Sequence, residues 1–384
     1  MSDIWVLGAT GRSGRAIATH LAARQLSPVL VGRDATRLRQ IAAAIGQDVR
    51  IVVASSVDAV VAAVSRGNPA VVVNTIGPFT ETAVPIARAC PPGTHYVDLS
   101  NELSSVIELL GMHDAAVSSG RTFVTGAGFG VLATESVVLK LCEGQPPATQ
   151  VRVDALPVVE VEPGRIGSAL AAAIIDAIAD GGRRYAHGKL VRARLFGDLE
   201  SLTLPDGFAA KTADGPSGEL EAARRASGAS FAVAASSLAP SAPVLRAILP
   251  AALTLLRITA LRSLAKRRVA AITIKPKTRT DAKQQERRRE SSWAHARVRW
   301  ASGESREGWL RLGDAMAFTI AVVVEVTCRL AHDGGRPGAY TPGALFGPEL
   351  AVKAGGAFIL DQARGRIKNG PVAITTGPQV KGPG

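Results

Sequence analysis

The sequence predicts an α/β protein: a doubly wound parallel sheet, followed by a second α/β domain of mixed sheet. Three observations carry this. Over the first 126 residues, short apolar runs rich in β-branched residues alternate with amphipathic stretches of helical period. Three glycines at spacing three follow the first run and open the first helical stretch. From Gln150 the pattern changes to strands of period two, with arginines at alternate positions.

The runs are Ile4–Leu7, Val29–Gly32, Val49–Ala54, Ala70–Thr75, His95–Leu99 and Thr122–Thr125. Their continuous apolar character is that of parallel strands buried on both faces. Between them, Arg15–Arg24, Ala35–Ile45, Val57–Arg66, Glu81–Cys90 and Leu103–Ser118 read as helices. In "VLGATGRSGRA", Gly8 allows the tight turn after strand one, Gly11 leaves room for a pyrophosphate, and Gly14 lets the helix pack closely on the sheet. The amides of Thr10, Gly11, Arg12 and Ser13 then face a phosphate at the positive end of that helix. In this context the triplet is the fingerprint of a Rossmann dinucleotide-binding domain.

Arg33 stands at the end of strand two, where an acidic residue would accept hydrogen bonds from a free ribose 2′-hydroxyl. A guanidinium pairs instead with a 2′-phosphate, so Arg33, with Arg37 one turn later, favours NADP over NAD. The plainer reading makes both surface arginines, with Asp34 capping the helix. Asn74, Thr75, Gly77 and Pro78 close strand four, where a rigid turn could run past the nicotinamide ribose. Strand five closes with Asp98 and Glu102. Each is a candidate proton donor or ribose ligand; equally, Asp98 or Ser100 could cap the helix at Leu103, with Glu102 in its first turn.

These residues resemble the saccharopine dehydrogenase-like (saccharopine reductase) family, particularly its bacterial enoyl-reductase-like branch. The likeness rests on "GATGRSG", "VGRD", "NTIGPF", "GTHYVDLSNE" and "GAGFGVLATES", in that order, and on "RPGAYTPGALFGPEL" near the end. "RESSWAHARVRWASGESREGWLRLGD" is similar to its second-domain strands, and the likeness is weakest between Pro163 and Lys283. It implies an NADP-binding domain over 1–127, a substrate domain closing over the cofactor across 128–335, and C-terminal helices returning to the first domain across 336–370. Residues 371–384, rich in Gly and Pro, read as a disordered tail. Two departures stand out: Asn101 replaces a glycine in the usual DLTGE, and Gly130 replaces an acidic residue in the usual GFDSVPSD. Both lie near the implied substrate pocket, so a different substrate is expected.

Gly167–Asp180 reads as a helix; Gln150–Leu156, Ala270–Lys275, Trp293–Trp300 and Gly308–Leu312 read as strands; and Asp314–Leu330 reads as a helix. Pro243–Leu261 is apolar but interrupted by Arg246, Pro250 and Arg257, too broken for a bilayer span. It reads as a buried helix or pocket lining, and with its basic flank, across 243–268, as a weak contact with an anionic membrane surface.

The net charge of +13 comes mostly from Arg262–Arg289, with eleven Lys/Arg against two Asp/Glu. Few aromatics interleave there and no nucleic-acid motif accompanies it, so a solvated basic stretch is expected rather than a nucleic-acid partner. Three distant cysteines and scattered histidines suggest neither disulfides nor a metal site. The first residues lack a basic and apolar leader, which predicts a cytoplasmic protein. The expected function is an NADPH-dependent reductase of a C=C or C=N bond in a small hydrophobic metabolite, in lipid or secondary metabolism. The proton-donor candidates are Asp98, Glu102 and Tyr340, and a homodimer is the expected assembly. The alternative is a non-catalytic NADP-binding sensor or membrane-associated scaffold.

Overall fold

The computed structural model describes residues 3–46, 49–159, 164–165, 175, 178–179, 181–239, 259–274 and 289–360. Strands β1 (Ile4–Leu7), β2 (Pro28–Gly32), β3 (Ile51–Val53), β4 (Val71–Asn74), β5 (His95–Asp98) and β6 (Thr122–Val124) pair in parallel in the order β6-β5-β4-β1-β2-β3. Helices α1 (Arg12–Ala23), α2 (Ala35–Ile45), α3 (Val57–Gly67), α4 (Phe79–Ala89), α5 (Leu103–Leu110) and α6 (His113–Ser118) connect them. The strand alternation divides the core by face. Ile4, Val6, Leu30, Val71, Val73, Val97 and Val124 pack on one side, and Trp5, Leu7, Val29, Val31, Val72, Tyr96 and Phe123 on the other.

Two expectations are corrected within this domain. Leu103–Ser118 is two helices, broken at Gly111–Met112, and Leu109, Met112 and Ala116 enter the core on the Trp5 face. Residues 336–370 are not simply helices returning to the first domain. Gly338–Tyr340 adds a seventh parallel strand beside β6, and Ala357–Leu360 pairs with Gly308–Arg311 in the second sheet. The apolar content of both short segments suits an edge strand as well as a helix, and backbone pairing decides between them.

After β6, a turn of π-helix (Phe129–Ala133) leads into α7 (Thr134–Cys142). The second sheet centres on β7 (Gln150–Leu156), parallel to Phe231–Ser236 and antiparallel to Ser292–Arg299, which pairs with Ser305–Leu312. Helices α7 and α8 (Gly218–Ser227) cover one face, burying Val137, Leu141 and Leu220 with Val153, Ala294, Ala296 and Leu310. The Ala270–Lys275 expectation is corrected in part: Ala270 ends the helix Thr259–Ala270, and among the described residues of this stretch only Thr273–Ile274 is a strand, paired with Gly164–Arg165. Most of the expected helix Gly167–Asp180, the apolar stretch as far as residue 258 and the expected tail lie outside the described residues.

The other face of this sheet is charged. His295, with no exposed surface, lies between Asp154 (Nδ1 to Oδ2, 2.8 Å) and Glu307 (Nε2 to Oε1, 2.9 Å). Arg152 and Thr212 also bond Asp154, while Arg152 reaches Asp198 and Glu200, and Arg297 pairs with Glu200. Burial alone would raise the Asp154 carboxyl, but the bond from His295 and the Arg152 charge hold it at about 2. Burial would likewise lower His295, and the two carboxylates overcome it and raise its pKa above 6.5. A raised folded value makes the stabilisation full below the unfolded pKa and lost as pH rises through the folded one. His295→Gln should therefore lower Tm more at about pH 5 than at about pH 9, in paired thermal melts. An equal loss at both would mean the imidazole acts only by packing.

Ala315–His332, capped by Asp314 through the amides of Met316 and Ala317, is long and apolar enough to cross a membrane. In this fold its Val322, Val323, Val326 and Leu330 are buried in the core shared with α1.

Candidate functional site at the carboxyl edge of the first sheet

Each strand of the first sheet ends at the same edge, and the glycine loop follows from that. The amides of Gly8 and Ala9 bond Val31 O at 2.9 and 3.1 Å, tying the end of β1 to β2. Gly8 has φ +77°, and a Cβ there would lie 2.7 Å from the Thr75 hydroxyl. A Cβ on Gly14 would lie 2.5 Å from Gly8 O, so the close packing of α1 needs this glycine. The Gly11 amide closes the turn on Gly8 O at 2.8 Å and is therefore not among the phosphate donors, which corrects the expectation for that one amide. A Cβ on Gly11 would meet only Gly8 O, at 3.2 Å. Its missing side chain thus keeps space open outside the loop, as a pyrophosphate requires. Helix α1 begins at Arg12, so the amides of Arg12, Ser13 and Gly14 belong to its first turn, which lacks carbonyl partners within the helix. These residues fit a dinucleotide.

Thr10 lies beside the end of β2, its methyl 3.5 Å from where a Cβ on Gly32 would stand. Arg33 and Arg37 are both exposed at that end. Asp34 caps α2 by accepting from the Arg37 amide at 3.0 Å, so the acidic neighbour has a structural role and Arg33 stands exposed beside it at the end of β2. Ser13 Oγ contacts Met316 Sδ at 3.7 Å, so the start of the Ala315–His332 helix flanks the loop.

At β4, Asn74 is fully buried and braces its neighbours: Nδ2 donates to Tyr96 Oη and Thr82 Oγ1, and Oδ1 accepts from the Ile76 amide. The Thr75 hydroxyl bonds Leu7 O at 2.7 Å. Both side chains organise the strand ends, and Gly77 and Pro78 then turn the chain, through a cis peptide, into α4.

The proposed acids are dispersed. Asp98 is fully buried; Oδ1 accepts from the amides of Ser100 and Gly126 and from Thr125 Oγ1, and Oδ2 from Tyr96 Oη. Burial pushes its carboxyl up to about 6 against these bonds. Glu102 caps α4, accepting from the amides of Phe79 and Thr80 at 3.1 and 2.9 Å. Neither Asp98 nor Ser100 caps α5. Tyr340 donates to Pro337 O and receives Arg336 Nε, which turns its hydroxyl back towards the amino end of its strand, away from the glycine loop.

A different group closes the edge from the second domain. Ser217 forms a β-bridge with Glu102, and the Gly218 amide donates to Asn101 O and Oδ1 at 3.0 and 3.1 Å. Ser217 Oγ bonds Glu219, which is 3 % exposed. Burial pushes the Glu219 carboxyl up to about 7 against the bonds from Ser217 and Asn101. The two sequence departures meet here: a Cβ on Gly130 would lie 2.6 Å from Asn101 Cγ. The space given up at position 130 is filled by the side chain at 101. Glu135, which follows in the same motif, is buried under Thr341 and Gly343, and burial pushes it up to about 7. No group of metal-ligating side chains occurs among the described residues.

Glu219 and Ser217 were not anticipated. "SGELEAARR" reads as an ordinary amphipathic helix start, and nothing local signals that it folds over Asn101. Asn101 and Gly130 stand out in the sequence only as two separate departures, and their contact comes from the fold.

Residues 8–98 match the NAD(P)H-binding domain family. The trans-acting enoyl reductase of Mycobacterium leprae is 33% identical over 146 residues, 36% of this chain and 35% of that protein. The trans-acting enoyl reductase of Mycobacterium tuberculosis is 30% identical over a stretch of the same length and the same shares. The matched stretch is thus about a third of the length of these relatives. The fold is similar to that of the saccharopine dehydrogenase (L-Glu forming) of Saccharomyces cerevisiae, with a TM-score of 0.57 at 13% identity, over 94% of this chain and 100% of that one.

Proposed function

We propose that this chain, whose fold is similar to that of a saccharopine dehydrogenase and whose first domain matches an NAD(P)H-binding family, is an NADPH-dependent reductase of a C=C bond in a small hydrophobic substrate. The observation that carries the reading is the glycine loop with Arg33 beside it at the end of β2. The naming of the mycobacterial relatives as enoyl reductases favours C=C over C=N. The reduced nicotinamide supplies the hydride, and the chain's residues bind, orient, exclude water and deliver one proton. The first turn of α1 takes the pyrophosphate, Arg33 and Arg37 take the 2′-phosphate, and the turn at Gly77–Pro78 lies on the side of the crevice that receives the nicotinamide ribose.

The test is NADPH oxidation with a panel of enoyl thioesters, enones and imines. Turnover of imines alone would move the reading to C=N, and tight NADPH binding without any turnover would move it to a non-catalytic NADP-binding protein. Arg33→Asp should weaken NADPH binding by about 10- to 100-fold, the loss of about 1.5–3 kcal/mol of charge-assisted bonding, and improve NADH binding. Titration calorimetry measures both, and equal affinity of the wild type for the two cofactors would remove Arg33 from the site.

A further inference from the structure

We infer that Ser217 and Glu219, positioned by Asn101, form the proton-delivery pair of this reduction, Ser217 as the group that meets the substrate and Glu219 as its proton source. The inference rests on the reductase reading above.

Location comes first. In a sheet of this order, the ligand lies beyond the carboxyl ends of the strands, at the switch point beside β1 and β4. Ser217 is bridged to Glu102, and Glu102 caps the helix that begins immediately after Gly77–Pro78. Ser217 is half-buried, and its hydroxyl bonds the buried Glu219.

The other acids at this edge are committed. Asp98 already accepts four hydrogen bonds, Glu102 holds two helix amides, and Glu135 is closed under Thr341 and Gly343. Glu219 instead bonds side chains, Ser217 and Asn101, and burial holds its proton near neutral pH. Asn101 keeps this geometry because position 130 has no side chain. A Cβ there would displace the amide that anchors Gly218.

The step balances. Hydride addition at the β-carbon of an enoyl group moves the π pair to the α-carbon and its carbonyl. The Ser217 O–H bond breaks as its proton forms the new α-carbon C–H bond. Glu219 O–H returns a proton to Ser217 Oγ, and the remaining carboxylate takes a proton from water.

Three variants test the pair: Glu219→Gln, Glu219→Asp and Ser217→Ala. With Glu219→Gln, kcat should fall about 10²- to 10⁴-fold and lose the alkaline limb of its pH profile, while the NADPH dissociation constant stays within about two-fold. Glu219→Asp should recover part of the rate and restore the limb. Ser217→Ala, a smaller change at a half-buried position, should lose rate with NADPH affinity unchanged. Independently of turnover, the infrared carbonyl band of a protonated carboxyl should lose intensity in Glu219→Gln at about pH 6.

A Glu219→Gln variant with wild-type kcat and an unchanged alkaline limb overturns the inference. So does an unchanged infrared band, whatever the activity. If the wild type binds NADPH but reduces no substrate, the reductase reading fails, and the relay falls with it. If the wild type turns over and only the variants behave as wild type, the relay alone fails.

Discussion

Gly11→Val should remain folded and lose NADPH binding. The backbone at this position has φ −78° and ψ 166°, which any L-residue adopts, and an added Cβ meets only Gly8 O, at 3.2 Å. The side chain would then project into the space where the pyrophosphate must approach the loop. In the wild type, ligand at a hundred times its dissociation constant adds about 2.7 kcal/mol of stability, visible as a rise in Tm. The variant should melt near the wild-type temperature without ligand and show no rise with NADPH. A normal rise would place the nucleotide elsewhere. Gly14→Val provides the contrast. Its Cβ would lie 2.5 Å from Gly8 O and 2.9 Å from Gly8 C, both backbone atoms, so it should lower Tm even without ligand.

Asp98→Ala should be among the most destabilising single changes at this edge. It strands two amides and two hydroxyls in a buried site, at about 1–3 kcal/mol for each group that finds no new partner. A loss of at least about 3 kcal/mol in denaturant unfolding is expected. Asp98→Asn should lose far less: its Oδ1 keeps the three donors, and its Nδ2 can donate to Tyr96 Oη once that hydroxyl rotates. Because burial holds the Asp98 carboxyl at about 6, above its unfolded 3.8, the wild type loses stability from this group as pH rises through about 6. Asp98→Asn should remove that dependence. If Asp98→Ala and Asp98→Asn prove equally mild, the carboxylate does not organise the strand ends.

The first domain was legible because its signals are local. Buried parallel strands must be apolar throughout, as Val71–Val73 and Val29–Val31 are, and a dinucleotide loop must spare side chains at fixed spacing. The capping role of Asp34 could be read from strand two's end, since it depends on near neighbours in the chain. His295 was not legible in the same way. Its partners Asp154 and Glu307 lie on two flanking strands, and only cross-strand register sets them beside it.

The acids show the same division. Asp98 and Glu102 stand at the carboxyl edge of the first sheet, where the sequence puts them, but the partners that decide their chemistry come from the chain just after β6 and from α4. Tyr340 was placed by its motif and turned away by Arg336 and Pro337. The sequence by itself determined the strand order's raw material, the glycine loop and the cap that Asp34 places on the second helix. Tertiary structure alone decided that Asn101 fills the space left at Gly130 and holds Glu219 beneath Ser217. Period and spacing report what a residue does within a turn or two of chain, whereas burial and proton affinity depend on groups that folding brings from a hundred residues away.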